Sequence, residues 1–191
     1  MKDLSVSGPI AALALFLGFL IIQRLMELGL SARNAVRLRA RGAVEHGAGH
    51  FRWFVILHTL FPIALAAEVL LLGARPPAWA PAWVAVWLFA QGLRYAAIRA
   101  LGDHWNVRIL VVPGAPLVRR GPYRWLRHPN YLAVVLELLA APLMFGAWRT
   151  ALLFSLANLV LLRVRIRSEE QALEGAQTPA RPPLVAAHRQ P

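Results

Sequence analysis

A chain of 191 residues is long enough for one domain, and at 58% hydrophobic with a mean hydropathy of +0.51 it exceeds the apolar share of ordinary water-soluble domains. Its net charge of +12 leaves two classes open, a nucleic-acid binder and a membrane protein with its basic residues gathered on one side. The absence of cysteine excludes disulfides, a thiolate nucleophile and Cys-ligated zinc.

A bilayer core of ~30 Å takes about 20 mostly apolar residues in a helix. Five stretches are predicted to meet that demand. The first covers residues 9–30. It is not a signal peptide, because Lys2 and Asp3 cancel and no small-residue cleavage site follows Ile22. It carries Gln23, Arg24 and Glu27, and Arg24 and Glu27 are three apart, a spacing that suits an ion pair. In the loop that follows, His46 and His50 flank Gly47 and Gly49, which spoils a fixed helical pair. With His58 they make no zinc-type cluster, and no metal is expected. The second span covers residues 51–72 and holds Glu68; the third covers 82–101 and holds Arg94. Glu68 and Arg94 are expected to pair between those spans or to snorkel. The fourth, 131–145, holds Glu137 without a local partner. Gly146, Ala147 and Trp148 turn the chain into the fifth, 150–164, which continues into a polar end. From residue 175 the chain is rich in Pro and Ala and reads as a flexible tail, so residues 1–174 are taken as one transmembrane domain.

The basic residues then choose between the two classes. Segments 31–52, 99–128 and 163–191 hold sixteen of the 21 Lys and Arg, whereas only Lys2, Arg75 and Arg149 fall at the opposite ends. Five spans put all sixteen on one side. The positive-inside bias makes that side cytoplasmic and the N-terminus external. No nucleic-acid partner is needed to explain the charge. The expected fold class is an all-α integral membrane bundle of five transmembrane helices, the last two a hairpin, with a cytoplasmic loop able to bind a cofactor.

That loop is the stretch from Val111 to Tyr131. Its prolines and glycines rule out one regular helix, yet it is too apolar and aromatic for a solvated linker. A folded loop over a pocket at the membrane face explains both features. Irregular backbone leaves N–H and C=O groups free to read a polar ligand. Tyr123, Trp125 and Tyr131 offer aromatic faces to an adenine ring or a cation, and His128 can donate or accept near neutral pH. An interfacial loop whose arginines meet lipid phosphates fits the same composition. On the fifth helix Asn158, Leu162, Arg165 and Glu169 share one stripe, which turns a guanidinium and a carboxylate to one side. Glu169 suits a cofactor amine or ribose, and Arg165 an anionic acceptor. A charged helix end leaving the bilayer is the plainer reading.

These pieces, taken in order, resemble the isoprenylcysteine carboxyl methyltransferase family. The resemblance lies in Gly121-Pro122-Tyr123, Arg127-His128-Pro129-Asn130-Tyr131, and Glu169-Glu170 with Leu173. The N-terminal half looks like the small bacterial branch through Arg24 with Glu27, Arg33-Asn34, Gly42-Ala43-Val44-Glu45 and His58. The resemblance implies a methyltransferase of the bacterial inner membrane, with S-adenosylmethionine in a cytoplasmic pocket and a lipid-like acceptor entering from the bilayer. By position it assigns the cofactor loop to Ala115, Pro116, Leu117 and Val118, and the cofactor walls to Tyr123, His128, Pro129, Asn130 and Tyr131. It makes Glu169 the carboxylate contact, Arg108 an upstream polar contact and Arg165 the arginine beside the acceptor. His128 or Glu170 would serve as base for a hydroxyl acceptor. Eukaryotic members carry His at the position of Ala115 and Gln at that of Arg108, differences that bear on the acceptor. Members of the small branch resemble enzymes that O-methylate long-chain polyketides such as alkylpyrones, so the resemblance implies an isoprenylcysteine-type carboxylate or such a hydroxyl as acceptor. The sequence leaves two rivals: an NADPH-dependent reductase of the sterol-reductase type, which is similar in its His-Pro-x-Tyr region, and a non-catalytic membrane protein. Oligomeric state is not legible in it.

Overall fold

The computed structural model describes residues 4–177. Each expected span is a helix: α1 (Leu4–Ala40), α2 (Ala48–Leu70), α3 (Ala80–Leu101), α4 (Pro129–Met144) and α5 (Trp148–Gln177). Over Gly8–Ala40 and Ala48–Leu70 the chain is long and apolar enough to cross a membrane. Leu15, Ile22 and Met26 on α1, and Leu60 and Ile63 on α2, stand exposed. So much outward apolar surface suits lipid rather than water. α4 is apolar but only 16 residues long, about 24 Å at 1.5 Å per residue.

The bounds differ from expectation at two ends. α1 continues past residue 30 to Ala40 and stops before Gly42, which sits at φ +80°. α5 runs to Gln177, so residues 175–177 are helical; the rest of the expected tail lies outside the described residues. The all-α expectation also needs one amendment. Strand β1 (Val44–His46) pairs antiparallel with β2 (Ile109–Val111), Val44 opposite Val111 and His46 opposite Ile109. Three residues are too few for alternation to show in a sequence.

α3 packs most extensively on α4, and α5 lies against both α4 and α2. Ala90 and Ala97 on α3 and Ala133 and Ala140 on α4 are wholly buried, and such small side chains let helix backbones approach closely. Leu57, Phe61 and Leu65 of α2 share a core with Leu138 and Ala141 of α4 and Phe154 of α5. Between α4 and α5 the turn needs a glycine. Gly146 sits at φ +74°, and a Cβ there would lie 2.0 Å from the Arg75 carbonyl oxygen.

Apart from Arg165, the buried charges form two separate groups. Glu68 does not pair with Arg94. Its carboxylate accepts from the Arg149 amide at 3.1 Å, the Thr150 amide at 2.7 Å and the Thr150 hydroxyl at 2.6 Å, and so caps the start of α5. Arg94, 1% exposed, instead donates to Glu137 through Nε at 2.6 Å and again through Nη2. Its Nη1 lies 3.3 Å from Glu27, which also accepts from Arg24 at 2.8 Å, the ion pair expected from their spacing. Gln23 and Gln91 complete the set: Gln23 donates to Gln91 and Glu27, and Gln91 donates to Glu137. Two guanidinium groups thus meet two carboxylates, and the cluster is neutral as a whole.

Removing one member of such a cluster strands a buried charge, at about 3–5 kcal/mol. Arg94→Met should therefore lower the thermal unfolding midpoint in detergent sharply. The pair Arg94→Met with Glu137→Leu should recover most of that loss, because Arg24 and Glu27 remain balanced. A double variant as unstable as the single one contradicts this reading.

Candidate functional site

The site begins on α1. Asn34, fully buried, donates to the Gly102 carbonyl at 3.1 Å and to the Trp105 carbonyl at 2.7 Å. Ser31 accepts from the Val107 amide at 3.1 Å, and its carbonyl accepts from Asn106 at 2.8 Å. These bonds hold the chain as it leaves α3 and feed it into β2. Ile109 and Val111 of β2 then pack on Ala172, Leu173 and Ala176 of α5. The Gly114 amide donates to the Ala176 carbonyl at 3.0 Å, tying the loop to the last turn of that helix. A third anchor lies at residues 120–121. Arg120 Nε donates to the Ala100 carbonyl at 2.7 Å, and Gly121, at φ +55°, sits where a Cβ would come 3.1 Å from Ala100 Cβ.

Between this pinned segment and the end of α5 lies a cavity of about 750 Å³, within the range of small-molecule and cofactor sites. Ala115, Pro116, Leu117 and Val118 line it, with Tyr123, His128, Asn130 and Tyr131. Arg108, Arg165, Glu169 and Glu170 line it too, so sequence-predicted residues from both segments share one space. Pro129 is the exception. It opens α4, fully buried, where its missing N–H costs nothing, and it does not reach the cavity wall. Trp125 is also absent from the wall: it points outward, 80% exposed, with the Arg124 guanidinium over its ring.

At the inner end Tyr131 is the bridge. Its hydroxyl donates to Glu169 and accepts from Arg165 Nε at 2.8 Å. Arg165 Nη2 donates to the Val107 carbonyl at 2.7 Å, and the guanidinium lies over the rings of Phe54 and Tyr131, 5.2 Å and 5.5 Å from their centroids. Nη1 makes no hydrogen bond among the described residues. His128 stacks on Tyr131 at 5.3 Å and sets Nε2 3.3 Å from Glu170. Arg108 donates to Glu45 at 2.6 Å and lies over Phe51, so it is held at the cavity edge by β1 and α2. That hydrogen bond, aided by the charge, keeps the Glu45 carboxyl below the usual range, with Arg39 assisting. Burial pushes the Tyr123 phenol up, and the nearby negative charge of Glu169 adds to it, so the group stays a neutral hydroxyl.

Reading the sequence missed the supports. Ser31 and Asn34 fell in a stretch taken as loop, and Trp105 and Asn106 carry no motif, although both line the cavity. Asn34 entered only through the Arg33-Asn34 pair of the family resemblance, and the local signal for it and Ser31 was a pair of polar residues continuing the apolar period of α1 without a Gly or Pro break.

The family model for isoprenylcysteine carboxyl methyltransferases matches residues 83–175, from α3 through the cavity to the end of α5. The protein YpbQ of Bacillus subtilis is 45% identical over 160 residues, covering 84% of this chain and 95% of its own. An uncharacterized protein of Haemophilus influenzae is 30% identical over 151 residues, 78% of this chain and 88% of that protein. The chain belongs to the isoprenylcysteine carboxyl methyltransferase family. Membership makes it a membrane methyltransferase. The family match begins after α1 and α2, so Ser31 and Asn34 lie outside it; the relatives, which cover most of the chain, share the longer frame.

Asn34→Ala leaves the Trp105 carbonyl unpaired, at about 1–3 kcal/mol where it stays buried, while the Gly102 carbonyl keeps the Trp105 amide. The substitution should speed amide exchange across residues 102–111 while leaving α4 unchanged. Equal exchange in variant and wild type would show that Asn34 does not hold the segment.

Proposed function

We propose that this methyltransferase uses S-adenosylmethionine to O-methylate a lipidic acceptor at the cytoplasmic face of a bacterial inner membrane. In this reading all five helices are membrane spans, with the N-terminus outside and the C-terminus in the cytoplasm. One juxtaposition carries the proposal. The proline-punctuated loop and the polar end of α5, some forty residues apart in sequence, wall a single cavity just beyond the apolar part of the bundle.

The lining fits an adenosyl amino acid. Asn130 Oδ1 is buried with no hydrogen-bond partner among the described residues, and it borders the cavity. Leu117, Val118 and Leu173 supply apolar wall for a base or a thioether arm, and Glu169 supplies a carboxylate for an amine or ribose hydroxyls. When bound, S-adenosylmethionine brings an electrophilic methyl group on a sulfonium. The face of Tyr123 attracts such a cation. The backbone of Ala115, Pro116, Leu117 and Val118 lies along the same wall.

The chain's own residues then have separable tasks. Arg165, fixed through Nε and Nη2, keeps Nη1 for an anionic acceptor oxygen. A carboxylate acceptor needs no base, and the site's contribution is positioning and exclusion of water. A hydroxyl acceptor must lose its proton. His128, oriented by stacking on Tyr131 and by Glu170, is placed to take it. Lipid favours an amphipathic small molecule over a protein terminus, and an isoprenylcysteine-type carboxylate or a long-chain polyketide hydroxyl meets these terms.

Glu169→Ala should abolish calorimetric binding of S-adenosylmethionine, since it removes both the ligand's carboxylate contact and the partner of the Tyr131 hydroxyl. Binding at wild-type affinity would remove Glu169 from the donor site. Stabilisation of the wild type by NADPH, with none by S-adenosylhomocysteine, would favour a reductase instead.

A further inference from the structure

One wall of the cavity has an outer side. On α3, Val84, Leu88, Tyr95 and Arg99 fall on one helical face, and all four stand exposed. Along that face the chemistry changes with height. Two aliphatic side chains come first, then a phenol about 10 Å beyond Leu88, then a guanidinium about 6 Å farther. A bilayer presents its layers in the same order: hydrocarbon, then the interface that takes Tyr and Trp, then the phosphates.

A second element reaches the same height. The turn Gly121–Arg124 is seated on the end of α3, where a Cβ on Gly121 would come 3.1 Å from Ala100 Cβ and 3.9 Å from the Ala96 carbonyl oxygen. It leads into Trp125, which is 80% exposed, with the Arg124 guanidinium 5.7 Å from its ring centroid. α4 then starts at Pro129. An indole bare to water is poorly solvated, whereas a membrane interface takes both its ring and its N–H. Arg99 and Arg124 make no ion pair among the described residues; Arg127, close by in the chain, lies 3.5 Å from Glu170. Two uncompensated cations and two bare aromatic rings therefore share one level. A nucleic acid or an acidic protein would match the charge, but not a face that continues into exposed Leu88 and Val84. An anion carried on an apolar body matches both.

We infer that Tyr95, Arg99, Arg124 and Trp125 form a binding surface for the head group of an anionic phospholipid in the cytoplasmic leaflet. Arg99 and Arg124 address the phosphate, and the two rings lie at the level where head group meets acyl chain. Tyr123, Arg124 and Leu126 of the same turn line the cavity, so a lipid held here steadies that wall from outside. The inference rests on α3 and α4 being membrane spans, as read above, and is independent of the methyl donor.

The test is native mass spectrometry of the full chain in detergent, titrated with phosphatidylglycerol or phosphatidylcholine of identical acyl chains. An arginine near an anionic surface adds about fivefold to binding. The wild type should therefore retain phosphatidylglycerol at least about tenfold better than phosphatidylcholine. Arg99→Gln with Arg124→Gln should bring the two lipids close to parity. Arg33→Gln with Arg163→Gln removes as much charge from exposed positions elsewhere on the basic side, and should keep most of the preference. If the first double variant does not fold, amide exchange of the wild type in nanodiscs decides: residues 121–127 should exchange more slowly with phosphatidylglycerol present than in phosphatidylcholine alone. Equal exchange there overturns the surface, as does an equal loss of preference in the two double variants. Retention of both lipids without preference in the wild type also overturns it, and leaves the arginines to an acidic soluble partner. Retention of neither lipid would contradict the spans themselves.

Discussion

The site depends on the reach of one guanidinium. Arg165 leaves α5, passes over Phe54 of α2, and bonds both the Tyr131 hydroxyl on α4 and the Val107 carbonyl ahead of β2. A single side chain thereby joins four segments that are distant in sequence. It closes the inner end of the cavity, and its charge is offset through Tyr131 by Glu169. A lysine could not do the same, since one ammonium lacks the planar fork that addresses two acceptors and stacks on rings at once.

A bundle in lipid must balance its charges internally, and this one does so in layers. At the end of the bundle away from the cavity Glu68 caps α5. Deeper, Arg24, Arg94, Glu27 and Glu137 cancel one another across α1, α3 and α4. At the far end Arg165 and Glu169 remain together at the cavity wall. At the cavity wall Arg165 Nη1 and Asn130 Oδ1 make no hydrogen bond among the described residues, so this layer keeps capacity for a ligand.

The helices were legible because apolar runs of span length leave few alternatives. So was the cavity lining, since the aromatic loop and the paired glutamates carry distinctive side chains at fixed spacing. What the sequence hid was azimuth and register. Whether Arg94 meets Glu68 or Glu137 depends on how α3 rotates against its neighbours, and the small residues at the α3–α4 contact decided for Glu137. The strands escaped notice because each has three residues. The extension of α5 to Gln177 escaped because a Pro- and Ala-rich composition masks the Ala172, Leu173 and Ala176 face that docks on β2. Pro129 was misplaced for a local reason: its ring fits the first turn of a helix, which draws it inward while its neighbours His128 and Asn130 face the cavity.

The central claim is that one ligand touches the loop and the end of α5 together. Hydrogen–deuterium exchange of the intact protein with and without S-adenosylhomocysteine addresses it most directly. Slower exchange should appear jointly in residues 112–128 and 165–177, with α1 and the start of α2 unaffected. Protection confined to one of those segments, or found elsewhere in the bundle, would contradict a shared cofactor cavity.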